Sequence, residues 1–254
     1  KGSEGYVSLT NVTPAGYGHE KRSIVTADAV RFGGGMGNIA RKRKGSDEEA
    51  VTSGMPRSAE GARYWLQWAG VPSDIFSQNE QQSDYKDDYM CRADWVAWMS
   101  GGSVVNPKQE GKGIPFDVSL AFHTDAGVTD GKTAVGTLAI YTLKSKGSQK
   151  NPSGGDRMTN RHLADAIQSQ IVHDLRELQD SKWSRRWTWD RSYYESRVPP
   201  CPAILLELLS HQNFRDMRYG LDPQFQFDAS RAVYKGILKY LSNRYNQPYT
   251  VQPL

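Results

Sequence analysis

The segment Phe116–Gly127 places the strongest constraint on how this chain can fold. Val118, Leu120 and Phe122 alternate with smaller or polar residues up to His123, which is the period-2 pattern of a strand with two distinct faces. The pattern stops in a short polar turn. In open α/β sheets, ligands and catalytic groups collect at the carboxyl ends of strands. We therefore expect the imidazole of His123 to face a crevice at one edge of a sheet.

A second apolar segment, Pro202–Asn213, carries the carboxylate of Glu207 among leucine and isoleucine residues. An ionised glutamate in such surroundings is costly unless it is paired, protonated or close to a metal ion. Glu207 either begins a solvated loop or lies in a dry site where it holds a proton. A histidine and a glutamate, each at the end of an apolar strand, indicate a hydrolytic site that combines a metal ion with a general base.

Strand-like and helical patterns alternate along the chain. Val135–Thr142 has the apolar content of a further strand, and four ranges have helical spacing: Pro56–Gly70, Asp84–Met99, Asn160–Leu178 and Asp228–Tyr240. This alternation predicts an α/β domain with a mostly parallel twisted sheet and helices on both faces. Two segments near the N-terminus, Tyr6–Val12 and Ser23–Phe32, predict a short antiparallel β segment before that domain.

Composition removes several classes of protein. A net charge of +4 over 254 residues suits an anionic polymer such as cell wall, but is too small to indicate nucleic acid. No apolar run approaches the roughly 18 residues that cross a membrane. Cys91 and Cys201 have neither metal-ligand spacing nor the context of a catalytic thiol. We interpret both as small buried residues, and a single bridge between them stays open.

Two segments resemble motifs of one enzyme family. Ser119-Leu-Ala-Phe-His-Thr-Asp-Ala126 is similar to the Ser-Ile-His-Ala-Asn/Asp-Ala segment of the zinc-dependent N-acetylmuramoyl-L-alanine amidases of type 3. Pro202-Ala-Ile-Leu-Leu-Glu-Leu-Leu-Ser-His211 resembles their Pro-Ala-Val-Leu-Val-Glu-Leu-Gly-Phe-Leu-Ser-Asn. The resemblance extends roughly from Asp84 to Leu241. It implies a peptidoglycan hydrolase, periplasmic or extracellular, that cleaves the amide between N-acetylmuramic acid and L-alanine.

The resemblance also implies a set of site residues. In the family a Zn²⁺ ion is held by His, Glu and His, and a second Glu is the general base. His123 matches the second histidine ligand, and Glu207 matches the catalytic glutamate. The family's opening Gly-His-Gly-Gly turn has no counterpart here, so Glu60, which begins a predicted helix, and His19 are the remaining candidate zinc ligands. Alternatively, the missing ligands lie upstream of Lys1.

Trp183–Arg191 is rich in aromatic residues and arginine. It forms either a cleft wall, with Arg186 binding substrate carboxylates and Trp187 stacking on sugar rings, or a loop that contacts no ligand. Asp125 and His211, beside the two motifs, are further candidate substrate-binding residues. Asp125 alternatively orients the metal site or caps the turn.

Glu195 matches no motif. It falls in a predicted loop before Val198-Pro-Pro, and we do not expect it in the site.

The N-terminal region carries a different resemblance. Ile24–Phe32 is similar to the closing strand of the golvesin-type, xanthan-lyase-associated β-module. This resemblance implies a partial β-module or strand pair over residues 1–35. Residues 36–254 would then form an amidase-like α/β domain that lacks its first strand and helix.

Two functions follow from these patterns. The first is a zinc amidase acting on peptidoglycan or muropeptides. The second is a catalytically inactive cell-wall or glycan-binding relative with the same fold, which the missing Gly-His-Gly turn favours. The patterns define no oligomeric state.

Overall fold

The computed structural model describes residues 47, 49, 61–80, 82–126 and 133–251. The chain divides into two units, Lys1–Gly37 and Asn38–Leu254, and every described residue belongs to the second unit. The β segment expected over residues 1–35 therefore lies outside the described residues, as do His19 and Glu60. The predicted division at residues 35 and 36 and the golvesin-type resemblance stay predictions.

A four-stranded mixed sheet forms the centre of the described region. Its strands are β1 (Ser119–Asp125), β2 (Thr137–Tyr141), β3 (Arg185–Asp190) and β4 (Ala203–Ser210), and their order across the sheet is β1-β4-β2-β3. β1 is parallel to β4 and β2 is parallel to β3, whereas β2 is antiparallel to β4. The predicted α/β class is confirmed, with two of these three pairings parallel. The tryptophan and arginine cluster forms β3 rather than a loop, and the guanidinium groups of Arg186 and Arg191 lie over the ring of Trp189. Contact of this cluster with a ligand stays a prediction.

Seven helices accompany these strands in the described part of the chain: α1 (Ala62–Trp68), α2 (Ser73–Phe76), α3 (Asp84–Ser100), α4 (Met158–Leu178), α5 (Tyr194–Arg197), α6 (Phe214–Gly220) and α7 (Pro223–Tyr245). None of the described helices is long and apolar enough to cross a membrane.

The main core lies between one face of the sheet and two long helices. Ile204, Leu206 and Leu208 alternate along β4 and are buried in one cluster with residues of α4 and α7. Leu163 and Ile167 supply the matching face of α4, and both are fully buried. Alternation in β4 and a four-residue step in α4 thus bring two apolar surfaces together, which is the main source of stability in such a layered fold.

The opposite face of the sheet has a smaller apolar cluster. Leu138, Ile140 and Leu205 are buried there, and Ala121 packs against them. Because side chains alternate along a strand, this face also carries Glu207, two residues after Leu205, and His123, two residues after Ala121. α5 reaches the same face through Glu195, which contacts His123, and α3 reaches it through Arg92, which contacts Glu195, so helices lie on both faces as predicted.

One predicted helix boundary is wrong. The last predicted helix begins at Asp228, but α7 begins five residues earlier at Pro223, where Asp222 caps it by accepting a hydrogen bond from the backbone N–H of Gln224. Proline is favoured in the first helical turn, because its missing N–H has no helical partner to lose. Asp228 lies inside the helix and accepts hydrogen bonds from the side chains of Gln224 and Gln179.

Gly236 sets the distance between α4 and α7. A Cβ atom at this position would lie 2.7 Å from the Cα atom of Ile167, closer than two such atoms can approach. We expect Gly236→Ala to lower the free energy of unfolding by about 1–3 kcal/mol through overpacking, although alanine is the better helix former.

Urea unfolding followed by circular dichroism measures this effect. Ser230→Ala, at an exposed position of the same helix, is the matched control and should change stability by no more than about 0.5 kcal/mol. Equal stability of Gly236→Ala and the wild-type chain would show that the two helices separate without cost.

Candidate active site

His123 and Glu207 lie beside each other on parallel strands. The register of β1 and β4 pairs His123 directly with Glu207, three positions before the last residue of β4. Both side chains occupy the sheet face opposite the main core. The structure therefore brings together the two residues that the sequence motifs single out, across 84 positions of the chain.

Glu207 has the environment of a carboxylate held away from water. Its Oε2 atom is buried and has no hydrogen-bond partner within the described part of the chain. Burial raises the pKa of Glu207 above its ordinary value. His123 and Arg186 oppose that rise, whereas the charges of Asp125 and Glu195 add to it. The interpretation of Glu207 as the start of a solvated loop does not fit this position inside β4.

Glu195 contacts His123, and its predicted exclusion from the site is wrong. The Nε2–H group of His123 donates a hydrogen bond of 3.0 Å to Oε2 of Glu195, which is only 8% exposed. This hydrogen bond, more than any other influence, raises the pKa of His123. Glu195 lies 72 positions further along the chain, and α5, the single turn that carries it, is too short for a periodic sequence signal.

Arg92 and Asp88 extend this contact into α3. Arg92 bonds to Oε1 of Glu195 at 3.3 Å through Nη1, and to Asp88 through Nη2. Asp88 in turn accepts a hydrogen bond of 3.1 Å from the backbone N–H of Arg63 at the beginning of α1. Five groups from four elements, β1, α5, α3 and α1, are thus linked into one chain of charge-assisted hydrogen bonds, which are stronger than bonds between neutral groups.

A second set of contacts holds α5 in place. The hydroxyl of Tyr194 donates to both carboxylate oxygens of Asp94 in α3, at 3.1 and 3.0 Å. Ser196 forms a 2.7 Å hydrogen bond with Thr142, which follows β2. Burial raises the pKa of Asp94 to about 6 and also raises the pKa of Tyr194. Glu195 is therefore flanked on both sides by residues with fixed partners.

The other candidate binding residues lie around the same edge of the sheet. Asp125 forms an ion pair of 2.7 Å with Arg186, which joins β1 to β3. His211 is exposed and donates from Nδ1 to the carbonyl oxygen of Thr124 at 3.2 Å. Trp187 is 83% exposed on β3. The guanidinium of Arg186 is therefore already paired with a carboxylate, whereas the ring of Trp187 is exposed and accessible to a ligand.

A pocket of about 740 Å³ opens beside this group of residues. Its wall includes His123, Glu195 and Arg92, together with Trp65 from α1 and Trp95 from α3. Glu207 is not part of this wall, although it is paired in register with His123. The mixture of aromatic rings and charged groups is typical of a pocket for a polar organic ligand.

The described residues include side chains of the types that bind zinc, but too few of them lie together to hold the ion. The neutral imidazole of His123 and the carboxylates of Glu195 and Glu207 are donor types that zinc accepts. Among the described residues, Arg92 pairs with Asp88 and Glu195, and Arg186 pairs with Asp125, whereas one oxygen of Glu207 has no hydrogen-bond partner. However, no three His, Cys, Asp or Glu residues within the described ranges have metal-binding geometry.

The two cysteines take no part in the site. Cys91 and Cys201 are both buried and both free, which confirms the interpretation as small buried residues and excludes a bridge between them. Burial raises the pKa of each thiol to about 12, so neither forms the thiolate that a cysteine nucleophile requires.

Three solved structures of amidases are similar to parts of this chain. The CwlD amidase from Clostridioides difficile, in complex with the GerS lipoprotein, is 18% identical over 71% of this chain and 81% of that chain, with a TM-score of 0.46. An N-acetylmuramoyl-L-alanine amidase from Clostridium difficile 630 is 18% identical over 76% and 91%, with a TM-score of 0.45. The amidase AmiC2 of Nostoc punctiforme is 18% identical over 50% and 58%, with a TM-score of 0.39.

This chain thus spans less than two thirds of AmiC2. No protein-family model and no curated protein sequence matches it. At 18% sequence identity, similarity to these structures does not define the chemistry of the site in this chain.

The burial of Asp94 predicts a pH-dependent stability, because it raises the pKa of this carboxyl against the opposing effect of the hydrogen bond from Tyr194. A carboxyl whose pKa rises from 3.8 to about 6 on folding stabilises the folded chain fully below pH 4, and loses that contribution as pH rises through 6. We expect Asp94→Asn, which keeps a hydrogen-bond acceptor for Tyr194 but carries no charge, to gain stability relative to wild type between pH 4 and pH 7.

Urea unfolding at pH 4, 5, 6 and 7 gives this difference directly. Glu177→Gln, which removes an exposed carboxylate from α4, controls for the change in net charge. A constant difference between Asp94→Asn and wild type over that range would contradict the raised pKa.

Proposed function

We propose that this chain is a peptidoglycan hydrolase that cleaves the amide between N-acetylmuramic acid and L-alanine, with Glu207 as general base and a zinc-activated water as nucleophile. One observation carries the proposal. Glu207 has a buried oxygen without a hydrogen-bond partner in the described residues, and it is paired in register with His123 at an edge of the sheet. The resemblance of both strands to the type 3 amidase motifs supports the same assignment.

Each residue has a chemical role in this proposal. When bound, a zinc ion would lower the pKa of a water molecule toward about 7 and polarise the scissile carbonyl. Glu207 takes the proton from the attacking water and returns it to the leaving amine. The raised pKa of Glu207 suits both steps, because it makes this carboxylate a stronger base than an ordinary glutamate.

His123 is the proposed zinc ligand from β1. The further ligands are proposed to come from outside the described ranges, with Glu60 and His19 as the candidates that the sequence indicates. Zinc sites for hydrolysis use three protein ligands and keep one position open. The carboxylates of Glu195 and Glu207, which both act to raise the pKa of His123, support a cation at this edge of the sheet.

The substrate would extend from this edge along β3. In this proposal a carboxylate of the peptide binds near the guanidinium of Arg186, which pairs with Asp125, and a sugar ring stacks on the exposed indole of Trp187. Asp125 and His211 would contact the same substrate. Peptidoglycan as the substrate places the protein in the periplasm or outside the cell.

A second function is a catalytically inactive relative that binds cell wall or glycan. The observation that favours it is the shortage of metal donors within the described ranges, where no three residues have metal-binding geometry. The exposed Trp187 and the aromatic pocket serve either function. The two functions differ in zinc content and in turnover.

Glu207→Gln separates catalysis from metal binding. The amide cannot accept a proton, so we expect turnover of a muropeptide to fall by about 10²–10⁴-fold, the usual contribution of a general base, with zinc content unchanged. His123→Ala should instead lower zinc affinity. Zinc is measured by elemental mass spectrometry, and cleavage by chromatography of the digested muropeptide.

Glu177→Gln, on an exposed face of α4, should behave as wild type in both assays. Turnover at the wild-type rate in Glu207→Gln would rule out the proposed base. A wild-type chain that binds sacculi without zinc and without turnover would establish the inactive relative instead.

Trp187→Ala tests the surface along β3. Loss of an exposed ring that stacks on sugars should weaken binding to purified sacculi by about 5–10-fold or more, since such stacking contributes about 1 kcal/mol or more, with the thermal midpoint unchanged. Sedimentation of the chain with sacculi measures the binding. Tyr85→Ala removes an equally exposed ring, 80% against 83%, from α3 and is the control. Equal binding of both variants would exclude Trp187 from the substrate surface.

A further inference from the structure

We propose that Trp189 and Arg191 form a further binding subsite, in which Arg191 binds a carboxylate of the substrate and the ring of Trp189 contacts the apolar part beside it. The ligand we assign is a carboxylate of the peptide part of peptidoglycan, bound beyond the contact proposed above for Arg186. The choice of this ligand rests on the proposed function, but the subsite needs neither a metal ion nor turnover. Neither residue belongs to a motif in the sequence.

A bulge in β3 turns Trp189 toward the face of the sheet that carries the candidate active site. The register of β3 against β2 shifts between Arg185 and Thr188, so β3 has one extra residue there. After this bulge, Trp189 is paired with Ile140, which is buried in the apolar cluster on the face opposite the main core. Side chains of paired residues on neighbouring strands lie on the same side of a sheet. Trp189 therefore shares a face with the site.

Two guanidinium groups lie over the ring of Trp189. The Cζ atom of Arg186 is 5.8 Å from the centroid of this ring, and the Cζ atom of Arg191 is 5.7 Å from it. Both distances are within the range of cation–π attraction. Arg186 is also paired with Asp125 on β1 at 2.7 Å. A continuous series of contacts thus extends from β1, beside the site, to Arg191.

The guanidinium of Arg191 has no carboxylate partner among the described residues. Its side chain is exposed, and its Nη1 atom donates to the backbone carbonyl oxygen of Asp190 at 2.9 Å. The carboxylate of Asp190 instead accepts from the backbone N–H of Leu143. A guanidinium has five N–H groups in a planar fork that matches the two oxygens of a carboxylate. Arg191 therefore keeps most of its donors for a ligand.

The backbone of Arg191 is fixed although its side chain is exposed. Its N–H donates to the carbonyl oxygen of Tyr141 at 2.8 Å, and its carbonyl oxygen accepts from the hydroxyl of Thr142 at 2.9 Å. Thr142 is fully buried. A cation held in this way loses less conformational entropy on binding than one on a mobile loop, so less of the binding free energy is spent on ordering.

The chemistry of the subsite favours one carboxylate next to an apolar group. Arg186 is already paired with Asp125, so Arg191 supplies one unpaired positive charge. Trp189 is 36% exposed, and its ring offers an apolar surface beside that charge. A peptide ends in a carboxylate, and the proposed reaction cleaves an amide that joins a peptide to N-acetylmuramic acid. A phosphate would fit the same guanidinium, so the ligands in the test contain none.

Binding of two matched muropeptides to the full chain tests the proposal. One muropeptide has free carboxylates, and in the other the carboxylates are converted to amides. Calorimetric titration measures both affinities, with a metal chelator present to prevent zinc-dependent turnover. Wild type should bind the free form about 10-fold more tightly or better, the usual contribution of a hydrogen bond to a charged group.

Arg191→Gln should lose about 10-fold in affinity for the free form and keep the wild-type affinity for the amidated form. Arg191→Lys keeps the charge without the planar fork and should retain part of the preference. Arg161→Gln removes an exposed arginine from α4 and should bind both forms as wild type does. Circular dichroism verifies that each variant is folded.

Three results would overturn the inference. An unchanged preference in Arg191→Gln would show that the carboxylate binds elsewhere. An equal loss of affinity for both muropeptides in this variant would make Arg191 a structural residue. Wild type that binds the two forms equally, or binds neither, would exclude a carboxylate of the peptide as the ligand.

Failure of the proposed function is measured separately, by incubating wild type with the muropeptide after zinc is restored. Absence of cleavage, together with a preference that depends on Arg191, would reject the hydrolase and leave the subsite to a relative that binds cell wall. Cleavage without such a preference would instead reject the subsite and leave the hydrolase.

Discussion

The parallel pairing of β1 with β4 is the constraint on which the rest of the site depends. Its register places His123 beside Glu207, and the alternation of side chains puts both on the face opposite the main core. A slip of one residue in either strand would send one of these side chains into the apolar layer against α4 and α7. The leucine and isoleucine residues of β4 that pack there therefore hold Glu207 in place as well as stabilising the fold.

Charge organises the layer on the other side of the sheet. Asp88, Arg92, Glu195 and His123 form a continuous series of hydrogen bonds from the start of α1 to β1, and Arg186 with Asp125 closes the site from β3. Charged groups are costly to bury. Clusters of partly buried charged residues are therefore more common at functional sites than elsewhere in a protein. Electrostatics thus explains why this face has only a small apolar cluster and an open pocket.

Local patterns predicted most of the fold and half of the site. Strict alternation predicted β1, and four-residue steps predicted α4 to within two residues of its observed start. The early start of α7 was missed because Asp222 and Asp228 are both plausible caps, and only Pro223 distinguishes them. The sequence of Arg185–Asp190 does not predict a strand, because its residues are mostly polar. Pairing with β2 makes this segment a strand in the structure.

The sequence by itself determined the chemical candidates, His123 and Glu207, because a polar residue inside an apolar strand is visible without any partner. Only the tertiary structure decided that Glu195 belongs with them. Its contact with His123 joins residues 72 positions apart, and its position depends on Arg92, Asp94 and Thr142, which lie on other elements. A hydrogen bond between distant segments leaves no local pattern, since each residue is placed by the packing of the elements that carry it.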